Sequence, residues 1–174
     1  MLERRVRLAL AAAEYLLERP VRTVLDVGCG EAPWRAILRR LRPRLRYTGV
    51  DSSEYAVRRF GKRRNIRFGR FGDLGTLALP GRFDLVVCSD VLHYVPTHEL
   101  LPGLTALRTL LGGVAFVELF AAEDDVMGDD VEFHQRSAAR YRKIFRAAGL
   151  TPIGLHCWVG PELADQLLRF ERGV

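Results

Sequence analysis

The chain has 174 residues, 48% hydrophobic and 28% charged, which is the length of one domain with a buried core and the balance of a soluble globular protein. No apolar run is long enough to span a bilayer. A net charge of +6 admits an acidic partner, nucleic acid included, although an excess of this size ordinarily serves solubility.

Arg4, Arg5 and Arg7 precede the apolar run Leu8–Ala13, the outline of a signal peptide. Glu14 interrupts that run, no polar cleavage region follows, and Val6, Leu10, Ala13 and Leu17 recur at helical spacing. Residues 1–20 therefore read as an amphipathic helix and a candidate lid. Val21–Val27 is β-branched and ends at Gly28, a first strand. Pro33 suits a first helical position, and Trp34, Ile37, Leu38 and Leu41 follow on one face. Leu45–Val50 is a second strand ending at Asp51; Ser52 or Ser53 caps the next helix, whose Ala56, Val57 and Phe60 face inward. Ile66–Phe68 is a short third strand. Phe83–Ser89 is almost wholly apolar, as suits a strand buried on both faces of a parallel sheet.

Thr97 can cap a helix carrying Leu100, Leu104, Leu107 and Leu111, with Pro102 and Gly103 expected to break or kink its first turn and Gly112–Gly113 to stop it. Val114–Phe120 is the next strand. The acidic stretch Glu123–Glu132 reads as a solvated loop. Ser137 caps a helix bearing Tyr141, Ile144, Phe145 and Ala148, and Gly149 ends it. Thr151–Val159 reads as one last strand, and 160–174 as a final helix with Leu163, Leu167 and Phe170 in register. The alternation predicts an α/β fold, a doubly wound, mostly parallel sheet with helices on both faces, in a single domain over 1–174.

In such sheets ligands bind beyond the carboxyl ends of the strands. Asp26-Val27-Gly28-Cys29-Gly30, Asp51, Asp73 and Ser89-Asp90 all fall there. Gly28 and Gly30 permit a sharp turn and a close backbone approach to a ligand, or simply a strand-to-helix turn. Asp51 can accept both hydroxyls of a ribose, or cap the helix after it. A dinucleotide site would want a third glycine where Pro33 stands, so a dehydrogenase is disfavoured. Cys29, Cys88 and Cys157 form no CxxC pair, which indicates neither zinc nor a disulfide framework and fits a reducing, cytoplasmic compartment.

These segments together resemble a known family. Leu25-Asp-Val-Gly-Cys-Gly-Glu-Ala-Pro33 resembles motif I of class I S-adenosylmethionine-dependent methyltransferases, and Tyr47-Thr-Gly-Val-Asp51-Ser-Ser their acidic second-strand motif. Phe83 to Val95 resembles their fourth-strand motif and Gly113-Val-Ala-Phe-Val-Glu118 their fifth strand. The resemblance implies a Rossmann-like methyltransferase fold with S-adenosylmethionine as cofactor. It implies that Asp26, Gly28 and Gly30 line the methionine end and that Asp51 holds the ribose, with Ser52 beside the adenine. Asp73, flanked by Gly72 and Leu74, would meet the adenine amino group, and Ser89 would offer backbone groups to the cofactor amine. Two departures stand out. Ala32 replaces the third glycine of motif I, and the helical look of 161–170 implies that the family's last antiparallel strand is missing.

Methyl transfer from a sulfonium needs alignment first and a base only where the nucleophile must lose a proton. His93, just past the fourth strand, is the leading candidate catalytic residue, with packing between Leu92 and Tyr94 at a helix start as its other reading, and His134, past the fifth, is the second candidate. Glu123, Asp124, Asp125, Asp129, Asp130 and Glu132 lack metal-site spacing, and no metal is expected. Arg58, Arg59, Lys62, Arg63, Arg64, Arg67 and Arg70 could track phosphates but read as a solvated helix face. The expected function is methyl transfer to a small-molecule O or N nucleophile, with no membrane partner. The alternatives are an RNA or protein methyltransferase, and a non-catalytic S-adenosylmethionine-binding partner subunit.

Overall fold

The structure, a computed structural model, describes residues 1–125 and 132–167. The elements are α1 (Leu2–Leu17), β1 (Thr23–Val27), α2 (Pro33–Leu41), β2 (Arg46–Asp51), α3 (Glu54–Arg64), β3 (Ile66–Phe68), β4 (Phe83–Ser89), α4 (Thr97–Leu110), β5 (Leu111–Glu118), α5 (Ala138–Ala147), β6 (Thr151–Gly154), β7 (Cys157–Val159) and α6 (Pro161–Ala164). A single 3-10 turn, Phe71–Asp73, follows β3.

The strands form one seven-stranded sheet in the order β3-β2-β1-β4-β5-β7-β6. β3, β2, β1, β4 and β5 pair in parallel, while β7 runs antiparallel to both its neighbours. The doubly wound α/β fold is the one the alternation predicted. Because β4 is buried on both sides, its successive side chains feed two cores. Leu85 and Val87 meet Val6, Ala9, Leu10 and Ala13 of α1 with Trp34 and Leu38 of α2. Val86 and Cys88 meet Leu100, Leu104 and Leu107 of α4 with Tyr141 and Phe145 of α5.

The expected last strand is a hairpin instead. Thr151–Gly154 and Cys157–Val159 are separate strands joined through Leu155 (φ 50°) and His156 (φ 65°), and β7 inserts between β5 and β6. The antiparallel strand expected to be missing is thus present. Paired positive φ at two central residues is the backbone of a tight hairpin turn, usually filled by Asn and Gly; Leu-His carries no such signal. Of the break or kink expected at Pro102 and Gly103, the break does not occur: α4 runs from Thr97 to Leu110 with Pro102 inside it. Proline removes one backbone donor, but the helix is held by Leu100, Leu104 and Leu107, all fully buried. Gly113 belongs to β5 rather than to a stop. α6 is described over four residues, and Phe170 lies outside the described residues. Ser53 and Ser137 do cap α3 and α5, accepting from the Ala56 and Arg140 N–H groups at 3.2 Å each.

α1 is built into the sheet through Val6, Ala9, Leu10 and Ala13, each at most 3% exposed. No described helix is long and apolar enough to cross a membrane.

Candidate active site

The loop after β1 holds three left-handed residues at alternate positions: Gly28 (φ 69°), Gly30 (φ 51°) and Ala32 (φ 59°). The Gly28 and Cys29 N–H groups both donate to the Val50 carbonyl, at 2.8 and 3.2 Å, which locks the loop to the end of β2. A Cβ on Gly28 would lie 2.3 Å from Val91 Cγ2, so glycine is what lets the loop after β4 close onto it. A Cβ on Gly30 would meet nothing within 4 Å: this residue opens onto free space. Ala32 adopts the conformation of the glycine it replaces, at a cost of about 1 kcal/mol.

Asp51 closes the other side. Its Oδ2 accepts from the Gly30 N–H at 2.6 Å and its Oδ1 from the Ser53 N–H at 2.8 Å. Each oxygen keeps a further lone pair. Deeper in, Asp26 is 2% exposed and accepts from the Tyr47 hydroxyl at 2.7 Å. Burial pushes the Asp26 carboxyl up to about 7; Tyr47 opposes the rise and Asp51 adds to it.

Beside this loop lies a cavity of about 320 Å³, walled by Gly28, Ser52, Phe71, Val91 and Tyr94 with Glu99 at its edge. It brings together two of the predicted cofactor residues, Gly28 and Ser52, within one chain turn of Asp26, Gly30 and Asp51. The predicted Gly72-Asp73-Leu74 segment sits differently. Leu74 is 1% exposed and packs into the α4 core, Asp73 is exposed at the end of its 3-10 turn, and the Gly72 N–H donates to Glu99 Oε2 at 3.3 Å. Gly69, Arg70 and Phe71 line the cavity.

Past β4, Ser89 lies opposite Glu118 in the sheet register, and its hydroxyl donates to Glu118 Oε2 at 2.9 Å. Arg5 of α1 reaches the same carboxylate at 2.7 Å, with Asp90 at 3.9 Å. Arg5 and Glu118 were not picked out as site residues from the sequence. Glu118 ends a recognisable strand, so its position at a strand tip was the available signal.

His93 is 2% exposed and enclosed by the rings of Tyr94, Phe133 and Phe120 at 4.4, 4.3 and 5.3 Å. Burial lowers its pKa, against a smaller upward pull from Asp90, which favours the neutral imidazole. Its Nδ1 accepts a long bond from the Phe120 N–H at 3.4 Å, and its carbonyl accepts from the His134 N–H at 2.9 Å. The two candidate histidines are therefore neighbours, His93 buried and His134 exposed. Arg136, also unmarked in the sequence, is 3% exposed and spans the two loops, donating to the Leu92 and Val95 carbonyls, Thr97 Oγ1 and the Tyr141 hydroxyl.

A second cavity, about 340 Å³, opens past the end of β5 between α5 and the β6–β7 turn, with Leu119, Tyr141, Phe145, His156 and Trp158 in its wall. Glu123 and Asp124 line it too, each with one carboxylate oxygen accepting from a backbone N–H, of Ala138 and Ala121, at 2.9 and 2.8 Å. Asp129 and Asp130 lie outside the described residues. Among the described residues no three His, Cys, Asp or Glu side chains converge as a metal site.

Residues 1–161 match the family model described as a methyltransferase domain. Over 109 residues the chain is 33% identical to a trans-aconitate 2-methyltransferase of Deinococcus radiodurans, a match covering 62% of this chain but 41% of that protein. The chain thus spans less than half of that relative's length. Among solved structures it resembles the plantazolicin methyltransferase BamL, solved with S-adenosylhomocysteine, with a TM-score of 0.68 and 14% identity over 84% of this chain and 64% of that one. It also resembles the [4+2]-cyclase SpnF, with a TM-score of 0.59 and 22% identity over 83% of this chain and 57% of that one. At such identities the structural likenesses speak for the fold alone.

Proposed function

The chain belongs to the methyltransferase domain family, the class I S-adenosylmethionine-dependent methyltransferases, and from that premise we propose that it moves a methyl group from S-adenosylmethionine to a small-molecule oxygen or nitrogen nucleophile. The observation that carries this reading is the clasp between Asp51 and the glycine loop. A carboxylate already fixed by two N–H donors, with lone pairs left over, is pre-organised to accept a ribose diol. Open space at Gly30 leaves room for the rest of the cofactor. Ser52, Phe71 and Val91 offer a mostly apolar slot for a purine. Asp26 and the Ser89 segment would hold the amino-acid end.

The cofactor supplies an activated methyl group, and the protein's part is alignment and exclusion of water. The cavity beyond β5, with Leu119, Tyr141, Phe145 and Trp158 in its wall and Glu123 and Asp124 beside them, is the place proposed for the acceptor. Two of the named relatives are methyltransferases of trans-aconitate and of plantazolicin, which supports a small-molecule acceptor, and the first adds carboxylates to the candidates. Where the acceptor must lose a proton, His93 is proposed as the base: Nδ1 carries the one acceptor lone pair of the neutral ring, and it would have to give up the long bond from the Phe120 N–H to take that proton.

Calorimetry with S-adenosylhomocysteine tests the clasp. Asp51→Ala should weaken binding about 100-fold, by roughly 2–3 kcal/mol for lost charged hydrogen bonds. Asp51→Asn, which keeps one acceptor oxygen, should weaken it less. Unchanged affinity in both would remove Asp51 from the cofactor site. In assays with labelled S-adenosylmethionine, His93→Ala should lower turnover about 100-fold or more with cofactor affinity retained; an unaffected rate would leave His93 with its packing role alone.

A further inference from the structure

The positive charge of this chain is unevenly placed. A hollow of about 410 Å³ lies at the amino-terminal ends of β1, β2 and β4, marked by Thr23, Arg46 and Phe83, and takes Arg35 and Arg39 of α2 and Arg67 of β3 into its wall. A second hollow, about 320 Å³, opens between α2 and α3 and is lined by Arg35, Arg59, Phe60, Arg63 and Arg64. Arg35 belongs to both, so they form one depression with seven guanidiniums. None of the described residues lining it is acidic. Its first hollow sits at the sheet edge opposite to the one that carries Asp26, Asp51 and Ser89.

The fold does little to neutralise this charge. Arg64 has the exposed Glu31 carboxylate at 3.9 Å, and Arg67 donates to the Ala78 carbonyl. Among the described residues no carboxylate pairs with Arg35, Arg39, Arg46, Arg59 or Arg63. Like charges within a Debye length of about 8 Å repel, so the depression gains by receiving an anion. Two of its guanidiniums, from Arg64 and Arg59, lie over the Phe60 ring at 4.1 and 5.7 Å from its centre. Guanidiniums gathered beside an aromatic ring can both fork onto phosphates and stack with bases. The spread of charge over two hollows exceeds what one phosphate needs. A membrane surface is convexly contacted and wants apolar tips in its plane, whereas this charge is concave with its aromatic ring beneath the guanidiniums.

We propose that this depression binds a single-stranded nucleic acid along its phosphates, at a site separate from that of methyl transfer. The inference does not depend on the acceptor proposed above.

The test is fluorescence anisotropy with a labelled oligouridylate of about twelve nucleotides, and its DNA counterpart, over a range of salt. The intact chain should bind with a log–log salt slope of about −3, the value for four to five phosphates at roughly 0.7 each. Arg39→Glu with Arg63→Glu, both exposed and one in each hollow, should weaken binding about tenfold or more. The same double variant should bind S-adenosylhomocysteine as the parent chain does, which shows that it folds. Should the charge-reversed chain misfold, Arg39→Gln with Arg63→Gln should still lose several-fold. Salt-independent binding, no binding, or equal binding by the variants would overturn the proposal. So would capture of the chain by phosphatidylserine vesicles, or by tripolyphosphate as tightly as by the oligonucleotide. Loss of cofactor binding with oligonucleotide binding intact would instead fall on the methyltransferase reading.

Discussion

At the end of β1 the Asp26 carboxyl has left water almost completely, with the Tyr47 hydroxyl as its hydrogen-bond partner. Its pKa of about 7 lies above the value near 3.9 that an unfolded chain gives it. Proton binding therefore favours the folded state. The stability from this group is fully present below the unfolded value and is lost as pH rises through about 7. Between about pH 5 and 7.5 that loss is roughly 2–3 kcal/mol. Asp26→Asn, which cannot ionise, should flatten the dependence of urea-unfolding free energy on pH across that window. Parallel pH slopes for parent and variant would show that Asp26 is not the group responsible. The nearby Ala32 is the complementary case: its residue type was visible as a departure from motif I, and its φ of 59° shows that the backbone kept the glycine conformation regardless.

Elements were legible where the pattern was local. The apolar run of β4, the capping serines of α3 and α5, and the glycine turn after β1 each follow from a few adjacent residues, and each lies where the sequence placed it. The β6–β7 hairpin was hidden because Leu155 and His156 take a turn conformation that their side chains disfavour. The pairing with β5 that compensates, such as Phe116 opposite Cys157, is non-local. A break or kink in α4 was expected because propensity was weighed at Pro102 and Gly103, while three fully buried leucines hold the helix unbroken. In the site, the glycine turn and the strand-tip carboxylates follow from local patterns, whereas the segment after β3 carries no repeating pattern: its 3-10 turn puts Gly69–Phe71 along the cavity and Leu74 into the α4 core. Arg5 at Glu118 and Arg136 across two loops join distant parts of the chain, and nothing in either neighbourhood marks the partner.

Taken as a whole, the molecule is fastened at its amino-terminal edge by carboxylates and at its carboxyl-terminal edge by a buried acid, and the two respond oppositely to pH. Asp84, 8% exposed at the start of β4, meets Arg19 in a two-pronged pair at 2.7 and 3.1 Å and accepts from the Arg22 and Thr23 N–H groups. Burial alone would raise its pKa, but Arg19 and the two N–H donors outweigh burial and leave it below the usual carboxylate range. Arg42 lowers Glu14 in the same way at the join of α1 and α2, helped by the Val21 N–H against the opposing effect of burial. Stability from these groups is present above the ordinary carboxylate pKa and drains away as pH falls through it. Arginines that lose their partners then add to the self-repulsion of a chain already at +6. Combined with the loss through Asp26 on the neutral side, this predicts a stability maximum near about pH 5 rather than at neutrality. Thermal melts across the acid and neutral range should show it. Asp84→Asn should cost about 2 kcal/mol at neutral pH and shallow the acid limb only, and Asp26→Asn should move the maximum upward. A parent chain most stable at or above pH 7 would mean that the buried carboxyl of β1 stays ionised, and with it the account of the strand tip on which the cofactor clasp is built would have to change.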